Sequence, residues 1–360
     1  MPDWTRSMIQ TFEYYTVDPY SWSDVRKIDE VISCSILRDE SKDTLGSANF
    51  EIDLFTGECY IRAYLITIQN GIKERFPLGT FLVQTPSYSY DSKTFHGNIN
   101  AYTPLIELKE KYLPIGYTAR KGTNIMMLGG SLSAENMRPP VIKSTVDKSL
   151  NYDFTAANTD TILAYTKALI ANAGYHFYLD DLGQTLFAPD QEIASLRPVM
   201  EFDDGNSSIL YPEISIDHDL YGVPNVVEVL YSTSNESFYA KATNNNRNSP
   251  TSIYNRGREI MSRITDPQFT GVATQNVINE YATATLKAAS VVTGTVTYTH
   301  GYYPVHLGDC VLLRYKVLEE ISPLFYPIKA RIVSQSIQCK TGCPVEETAE
   351  FTVDLMEGMS

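Results

Sequence analysis

The 360-residue sequence is poor in charge, in tryptophan and in long apolar runs. Asp, Glu, Lys and Arg together make up 20% against a hydrophobic share of 43%, which excludes a chain disordered throughout. No apolar run approaches the roughly 18 residues that a membrane-crossing helix needs. The opening Met1-Pro2-Asp3-Trp4-Thr5-Arg6 has no apolar core of the kind a signal peptide carries. The five cysteines, at positions 34, 59, 310, 339 and 343, are odd in number and scattered. That spacing argues against a disulfide framework and for maturation in a reducing compartment. Basic residues are scarce too: 29 Lys and Arg face 43 Asp and Glu, for a formal net charge of −14. A groove that grips phosphates needs a basic footprint, so stable nucleic-acid binding is not expected. An acidic surface that nucleic acid slides past without adhering fits the balance better.

What is present points to strands and contact surfaces. Twenty-five Tyr stand against two Trp. Tyr is favoured in strands and at interfaces, because its ring packs while its hydroxyl stays bonded or wet. The length allows two or three domains.

Residues 1–27, with Tyr14, Tyr15, Tyr20 and Trp22, read as an N-terminal arm or edge element outside the core. Residues 28–116 read as a first small β-barrel. Ile32, Cys34 and Ile36 alternate with polar or outward positions, as does Asn49-Phe50-Glu51-Ile52-Asp53-Leu54. Tyr60 to Ile68 is a longer run, Gln69-Asn70-Gly71 is a hairpin turn, and Thr94 to Tyr102 is a further strand. A short helix follows Pro104. Residues 117–200 read as an α/β domain. Met126-Met127-Leu128 forms a short helix stopped by Gly129-Gly130, and Arg138-Pro139-Pro140 breaks any regular element. The helix at 158–174, capped by Asn158 or Thr159, buries Ile162, Leu163, Thr166, Leu169 and Ile170, and the hairpin at 175–189 follows. Residues 201–360 read as a second barrel of similar type. Its strands include Val226 to Tyr231, and a helical insertion occupies about 244–290, with the helix at Ala273 to Ser290. The expected fold is therefore mainly β with α+β insertions: two small barrels, an α/β domain between them, and a helical insertion in the second.

No motif of catalysis stands out. His300 and His306 lie near Asp309 and Cys310, but the spacing matches no standard metal set. Gly308-Asp309 reads as a turn. Cys339-Lys340-Thr341-Gly342-Cys343 reads as two free thiols on a loop, with a bridge between them as the alternative. Asp217 and Asp219 share a strand face that His218 does not, which fits a solvated strand end. Asp180-Asp181-Leu182-Gly183, with Asp190, lacks the calcium-loop pattern and reads as a hairpin turn. Gly129-Gly130-Ser131 lacks the Gly-Lys-Ser/Thr ending of a phosphate loop. Catalytic, cofactor and metal residues are therefore not assigned. The one basic cluster, Arg247, Arg256, Arg258 and Arg263, is the candidate subunit interface, pairing with carboxylates of a neighbouring subunit; solvated surface is the alternative.

Taken in order, several short motifs resemble the tail-tip or baseplate-hub proteins of tailed bacteriophages and related contractile injection systems. They are Leu37-Arg38-Asp39, Ser47 to Glu51 and Phe76-Pro77-Leu78-Gly79-Thr80-Phe81. Phe187-Ala188-Pro189-Asp190, Val223 to Val227, Asn248 to Ile253 and Leu307 to Val311 complete the series. The resemblance covers roughly Ile32 to Leu355. It implies a virion protein, made in the host cytoplasm, that is structural and not an enzyme. It implies a homotrimeric ring whose six similar modules adapt a sixfold tail tube to a threefold tip. The implied partners are tail-tube or distal-tail ring proteins, the tape-measure protein and a central spike, with DNA only in transit. No stable membrane insertion is implied. Since the sequence stops at Ser360, soon after the second barrel, a spike or lytic domain is expected on another polypeptide. A tail-associated cell-wall hydrolase and a receptor-binding tip protein are the alternatives.

Overall fold

The structure, a computed structural model, describes residues 2–52, 57–90, 92, 95–134, 140–142, 148–205, 208–233, 236–267, 273–321 and 326–356. Asp53, Leu54, Thr94, Arg138, Pro139 and Ser360, on which expectations were placed, lie outside them.

The first part is all β: β1 Ile9–Val17, β2 Asp24–Ile28, β3 Val31–Asp39, β4 Gly46–Ile52, β5 Cys59–Gln69, β6 Ile72–Tyr90 and β7 Phe95–Tyr102. Alternation decides the faces. In β4, Ala48, Phe50 and Ile52 are buried while Ser47, Asn49 and Glu51 are not. The middle part holds α1 Ile106–Glu110, β8 Thr118–Ala119, α2 Ile125–Ser133, β9 Val141–Ile142, β10 Phe154–Thr155, α3 Ile162–Ala171, β11 Tyr175–Leu179 and β12 Thr185–Pro189. A 3-10 turn at Ile193–Ser195 leads out of it. The last part runs through β13 Pro198–Asp203, β14 Leu210–His218, β15 Val226–Ser232, β16 Ser237–Thr243, α4 Ile253–Arg256, β17 Met261–Thr265 and α5 Gln275–Ala289. It continues with β18 Val291–Gly301, β19 Cys310–Arg314, α6 Lys316–Ile321, β20 Ile328–Gln338 and β21 Pro344–Asp354.

Mainly β is as expected, but the two expected barrels are not what backbone pairing shows. Strands of the first and last parts belong to one 13-stranded sheet, β14-β18-β21-β20-β3-β4-β7-β6-β5-β1-β2, with β19 and β13 joined at β20. Among the described residues no ladder closes either half on itself. The reason lies at β20. Along one edge its residues 328–331 pair with β19, and its residues 334–338 pair with β3. β3 already has β4 on its other edge, so the edges that closure would use join the halves instead.

A bulge marks the point where the partner changes. Between Ile332 and Ser334 the register with β21 shifts by one residue. Before it Ile328, Ala330 and Ile332 are buried, and after it Gln335 and Ile337. One strand thus serves two cores. Ile328, Ala330 and Ile332 join Val296, Tyr298, Leu313 and Phe351 in the core of the last part. Ile337, Cys343 and Val345 complete the core of the first part, among Phe50, Ile61, Leu65 and Ile99.

Residues 1–27 are more than an arm. β1 pairs with β5 along nine residues and with β2 on its other edge. Tyr14 and Val17 are buried, and Trp4 packs edge-on against Phe76 and Tyr302 with centroids 5.1 and 5.3 Å away. The segment is an edge element that also feeds the core, because its apolar ring faces alternate with polar positions along an unbroken strand.

In the middle domain the predicted face of α3 is buried as a set: Ile162, Leu163, Thr166, Leu169 and Ile170. The cap is Thr161, whose hydroxyl accepts from Ala164 N, not Asn158 or Thr159. Asp160 instead closes the preceding turn on Ala157 N. α2 runs through Gly129-Gly130 to Ser133, beyond its expected stop. A Cβ on Gly129 would lie 2.9 Å from Ile170 Cγ2, so the glycine lets α2 and α3 approach and packing overrides low helix propensity. The hairpin is as read, β11 against β12.

The insertion is larger than 244–290. β15, expected as a barrel strand, pairs instead with β16 and β17 in a separate sheet. α5 covers that sheet, and Val227, Val229, Ala240, Ile278, Ala282 and Leu286 form its core. The unit leaves the large sheet after β14 and returns at β18, which are paired neighbours.

Ile337→Ala is expected to cost about 2–5 kcal/mol, as large-to-small core changes do. Deleting Val333 removes the bulge, leaves Ser334 to follow Ile332 in regular alternation and keeps Gln335 and Ile337 on their present face, so it should cost less. Urea midpoints of the two variants check both, with hydrogen exchange at 35–39 reporting on the β3 ladder.

Candidate functional site

The three parts meet at the tip of the β11–β12 hairpin. Asp180 shapes the turn, its carboxylate accepting from Leu182 N at 2.9 Å and Gln184 N at 2.7 Å. Gly183 then sits at φ +79°, and a Cβ there would lie 3.0 Å from Pro104 Cγ and 3.3 Å from Thr80 Cβ. The tip is thus pressed into the first part. Leu182 O accepts from Trp22 Nε1 at 2.6 Å and from Thr80 Oγ1 at 3.1 Å.

Asp181 joins all three parts. One oxygen accepts from Arg38 Nη2 of β3 at 2.5 Å, and the other contacts His306 Nε2 at 2.8 Å. Arg38 also donates to Leu78 O at 2.8 Å and Gln335 Oε1 at 3.1 Å. His306 N donates to Asp309 Oδ2, which also stands 3.5 Å from the ring Nδ1. Burial alone would raise the Asp181 carboxyl, but Arg38 and His306 hold it below the ordinary range. Burial opposes charge on His306, yet the Asp181 and Asp309 carboxylates outweigh it and push the imidazole up to about 9.

Two further bridges flank this centre. Arg331 Nη1 donates to both Glu40 oxygens at 2.8 and 2.9 Å, and Tyr178 OH donates to Glu40 at 3.1 Å. Glu40 N in turn donates to Val333 O at the bulge. Burial, then Glu40, keeps the Tyr178 hydroxyl protonated. Between the cores, Gln335 Nε2 donates to Glu347 Oε1 at 2.6 Å and Val305 O at 2.9 Å, and Tyr298 OH donates to Glu347 Oε2. His300 Nε2 lies 3.3 Å from Glu347 Oε1, both side chains fully buried. A cavity of about 1490 Å³ opens beside the junction, between the hairpin, the 189–199 linker and the last part of the sheet; Asp190, Glu192, Asp309 and Glu350 are among its lining residues. Asp181 and Glu40 are committed to cations and hydroxyls of other parts, and Glu347 to Gln335 and Tyr298 of its own. The arrangement clamps modules together; it does not present a free acid and base.

The four candidate arginines take different partners. Arg256 donates to Val223 O at 2.7 Å and Leu220 O at 3.2 Å, tying the insertion's entry. Arg263 grips Glu228 of the adjacent strand at 2.8 and 3.1 Å. Arg247 is exposed and lies 4.8 Å over the Tyr254 ring; Arg258 is exposed. The candidate metal residues separate likewise. His300 faces Glu347, His306 faces Asp181, and Asp309 holds His306. Among the described residues no group of three or more His, Cys, Asp or Glu is placed to hold a metal ion. Asp217 and His218 end an exposed strand, and Asp219 accepts from Tyr221 N. Asp190 sits beside His176. All five cysteines are free.

No protein-family model and no curated protein matches the sequence. Solved structures do match. A tail protein from Neisseria meningitidis MC58 superposes with a TM-score of 0.58 over 97% of this chain and 99% of its own, at 10% identity. The 43 kDa tail protein of prophage MuSo2 from Shewanella oneidensis gives 0.57 over 94% and 97%, at 11% identity. The chain has the fold of these tail proteins. A chain of the half-lidded Francisella PdpA–VgrG complex gives 0.51 at 7% identity, covering 99% of this chain but 59% of its own. The resemblance read from short sequence motifs is thus to proteins of this same fold.

Reading residues alone missed Arg38, Glu40, Arg331, Gln335 and Glu347 as a junction. Arg38 stands 143 residues from Asp181 and 297 from Gln335, and no spacing rule links such pairs.

Gly183→Ala forces a side chain into the left-handed region and into Pro104, and should lower the thermal midpoint by more than a surface Gly→Ala change such as Gly122→Ala. The raised His306 value sets a pH dependence. Its contribution is fully present below the ordinary 6.5 and is lost as pH rises through about 9. The imidazole is 41% exposed, so water screens the pair and the effect stays modest. Thermal midpoints at pH 6 and pH 9.5 check this, and the difference should shrink in His306→Asn.

Proposed function

We propose that the protein is a structural, non-enzymatic hub of a phage tail tip or baseplate. In this reading three copies form a ring that adapts the sixfold tail tube to a threefold tip and lets DNA through. The observation that carries it is the likeness to two tail proteins along nearly the whole of both chains compared. A fold shared end to end supports a shared kind of part more than a shared module would.

Physical features of the chain support the reading. A ring subunit needs broad, complementary patches on two sides. Tyr20, Tyr112, Tyr152, Tyr221 and Tyr239 are exposed, and aromatic side chains of that kind serve such contacts. A subunit under strain during DNA release also needs its modules fastened, which the β3–β20 ladder and the Asp181 junction do. The net charge of −14 suits a lumen that DNA passes without adhering. The proposed neighbours are tail-tube or distal-tail ring proteins, the tape-measure protein and a central spike. The proposed place is the virion, after synthesis in the host cytoplasm.

Of the candidate interface, Arg247 and Arg258 are the two we place in subunit contacts, while Arg256 ties the insertion's entry and Arg263 is held by Glu228 on the insertion's own sheet. Mass photometry and negative-stain electron microscopy of the purified protein, or of assembled tails, are expected to show a three-subunit ring. A monomer with no ring in assembled tails would end this reading. Activity of the isolated protein on peptidoglycan would favour the hydrolase, and binding of the isolated protein to host cells the receptor-binding role. The double change Arg247→Glu with Arg258→Glu should weaken the ring without moving the thermal midpoint of the subunit.

A further inference from the structure

The turn between β20 and β21 carries two cysteines, and a third lies across the ladder. Gln338 faces Ser35 in the β3–β20 pairing, so the next opposed pair is Cys339 and Cys34. Cys339 N donates to Cys34 O at 3.0 Å, which fixes the two backbones side by side. Directly opposed residues of an antiparallel pair stand about 5.5 Å apart at Cα, inside the roughly 4.4–6.8 Å that a disulfide spans. The two thiols and the Tyr14 hydroxyl meet at the first core and act on one another there. Cys34 is 5% exposed; Cys339 is partly exposed and packs on the edge of the same core. Cys343, the partner that sequence spacing would choose, is fully buried.

We propose that Cys34 and Cys339 form a redox-active pair, which a small dissolved disulfide such as oxidised glutathione closes into a cross-strand disulfide. The reagent reaches Cys339, the more exposed sulfur. Its thiolate attacks the reagent's S–S bond, forms a mixed disulfide and releases one glutathione thiol. Cys34 then loses its proton and attacks the Cys339 sulfur, expelling the second glutathione as its thiol. Two protein thiols are oxidised and one glutathione disulfide is reduced to two thiols. Burial pushes the Cys34 thiol well above its ordinary range, so the second step is the slow one and speeds up with pH. The product would fasten β3 to the far end of β20, adding a covalent bond to the ladder that joins the two halves. The inference does not depend on the ring.

The test treats the intact, folded protein with oxidised glutathione at pH 8.5 and maps its peptides without reduction. The expected product has lost two hydrogens, joins the peptide of Cys34 to that of Cys339, and leaves Cys59, Cys310 and Cys343 titratable. Cys343→Ala should still form it and Cys34→Ser should stop at the mixed disulfide on Cys339. A Cys339–Cys343 or Cys34–Cys343 link in the wild-type protein, an arrested mixed disulfide, or five unreacted thiols would each overturn the proposal. The wild-type map decides the matter even where a variant fails to fold.

Discussion

One edge of one strand holds this molecule together. β20 has a single free edge once β21 is in place, and it divides that edge between β19 of its own half and β3 of the other. Backbone groups on a buried edge must be paired, so neither half can satisfy its own edge without the other. Like β21 beside it, β20 points apolar residues into one core and then into the next, and the bulge before Ser334 takes up one extra residue where its partner changes. The halves are therefore fused, not merely adjacent.

The polar junction follows from that fusion. Where two cores abut, the strand joining them passes through a zone that belongs to neither. Gln335 and Glu347 occupy it, and burial obliges them to find partners. They find each other, Arg38 and Tyr298. The middle domain then docks by its hairpin tip onto Arg38 and His306, with Asp181 as the shared anion. Removing one partner of such a cluster leaves another charge buried, which costs more than the cluster contributes when intact.

Much of this was legible in residues and some was not. Alternation located β4, the run from Val226 to Tyr231 located β15, the apolar stripe of α3 was read correctly, and the hairpin at 175–189 was read to the residue. The N-cap was placed too early, because Asn158, Thr159 and Thr161 are all good caps and the turn closed by Asp160 chose among them. The glycines of α2 misled because their helix is stabilised by contact with α3, not by propensity. Within the arginines near 247–263, the sequence did not show that Arg256 reaches the carbonyls of Val223 and Leu220 or that Arg263 pairs with Glu228 on the surface.

The sequence by itself determined local matters: which segments are strands, which face of each is apolar, where the turns fall, and that the chain is β-rich and acidic. These follow from period, propensity and composition, all of which act over a few residues. Only the tertiary structure decided that two sets of strands form one sheet, that β15 leaves it for the insertion, and that Asp181, Arg38 and His306 meet. The first and last rest on pairing between edges or side chains more than a hundred residues apart, and the second on β15's choice of the nearer β16 and β17, where any strand edge can in principle join any other. The division of β20's edge between β19 and β3 selects among them, and no local pattern announces it.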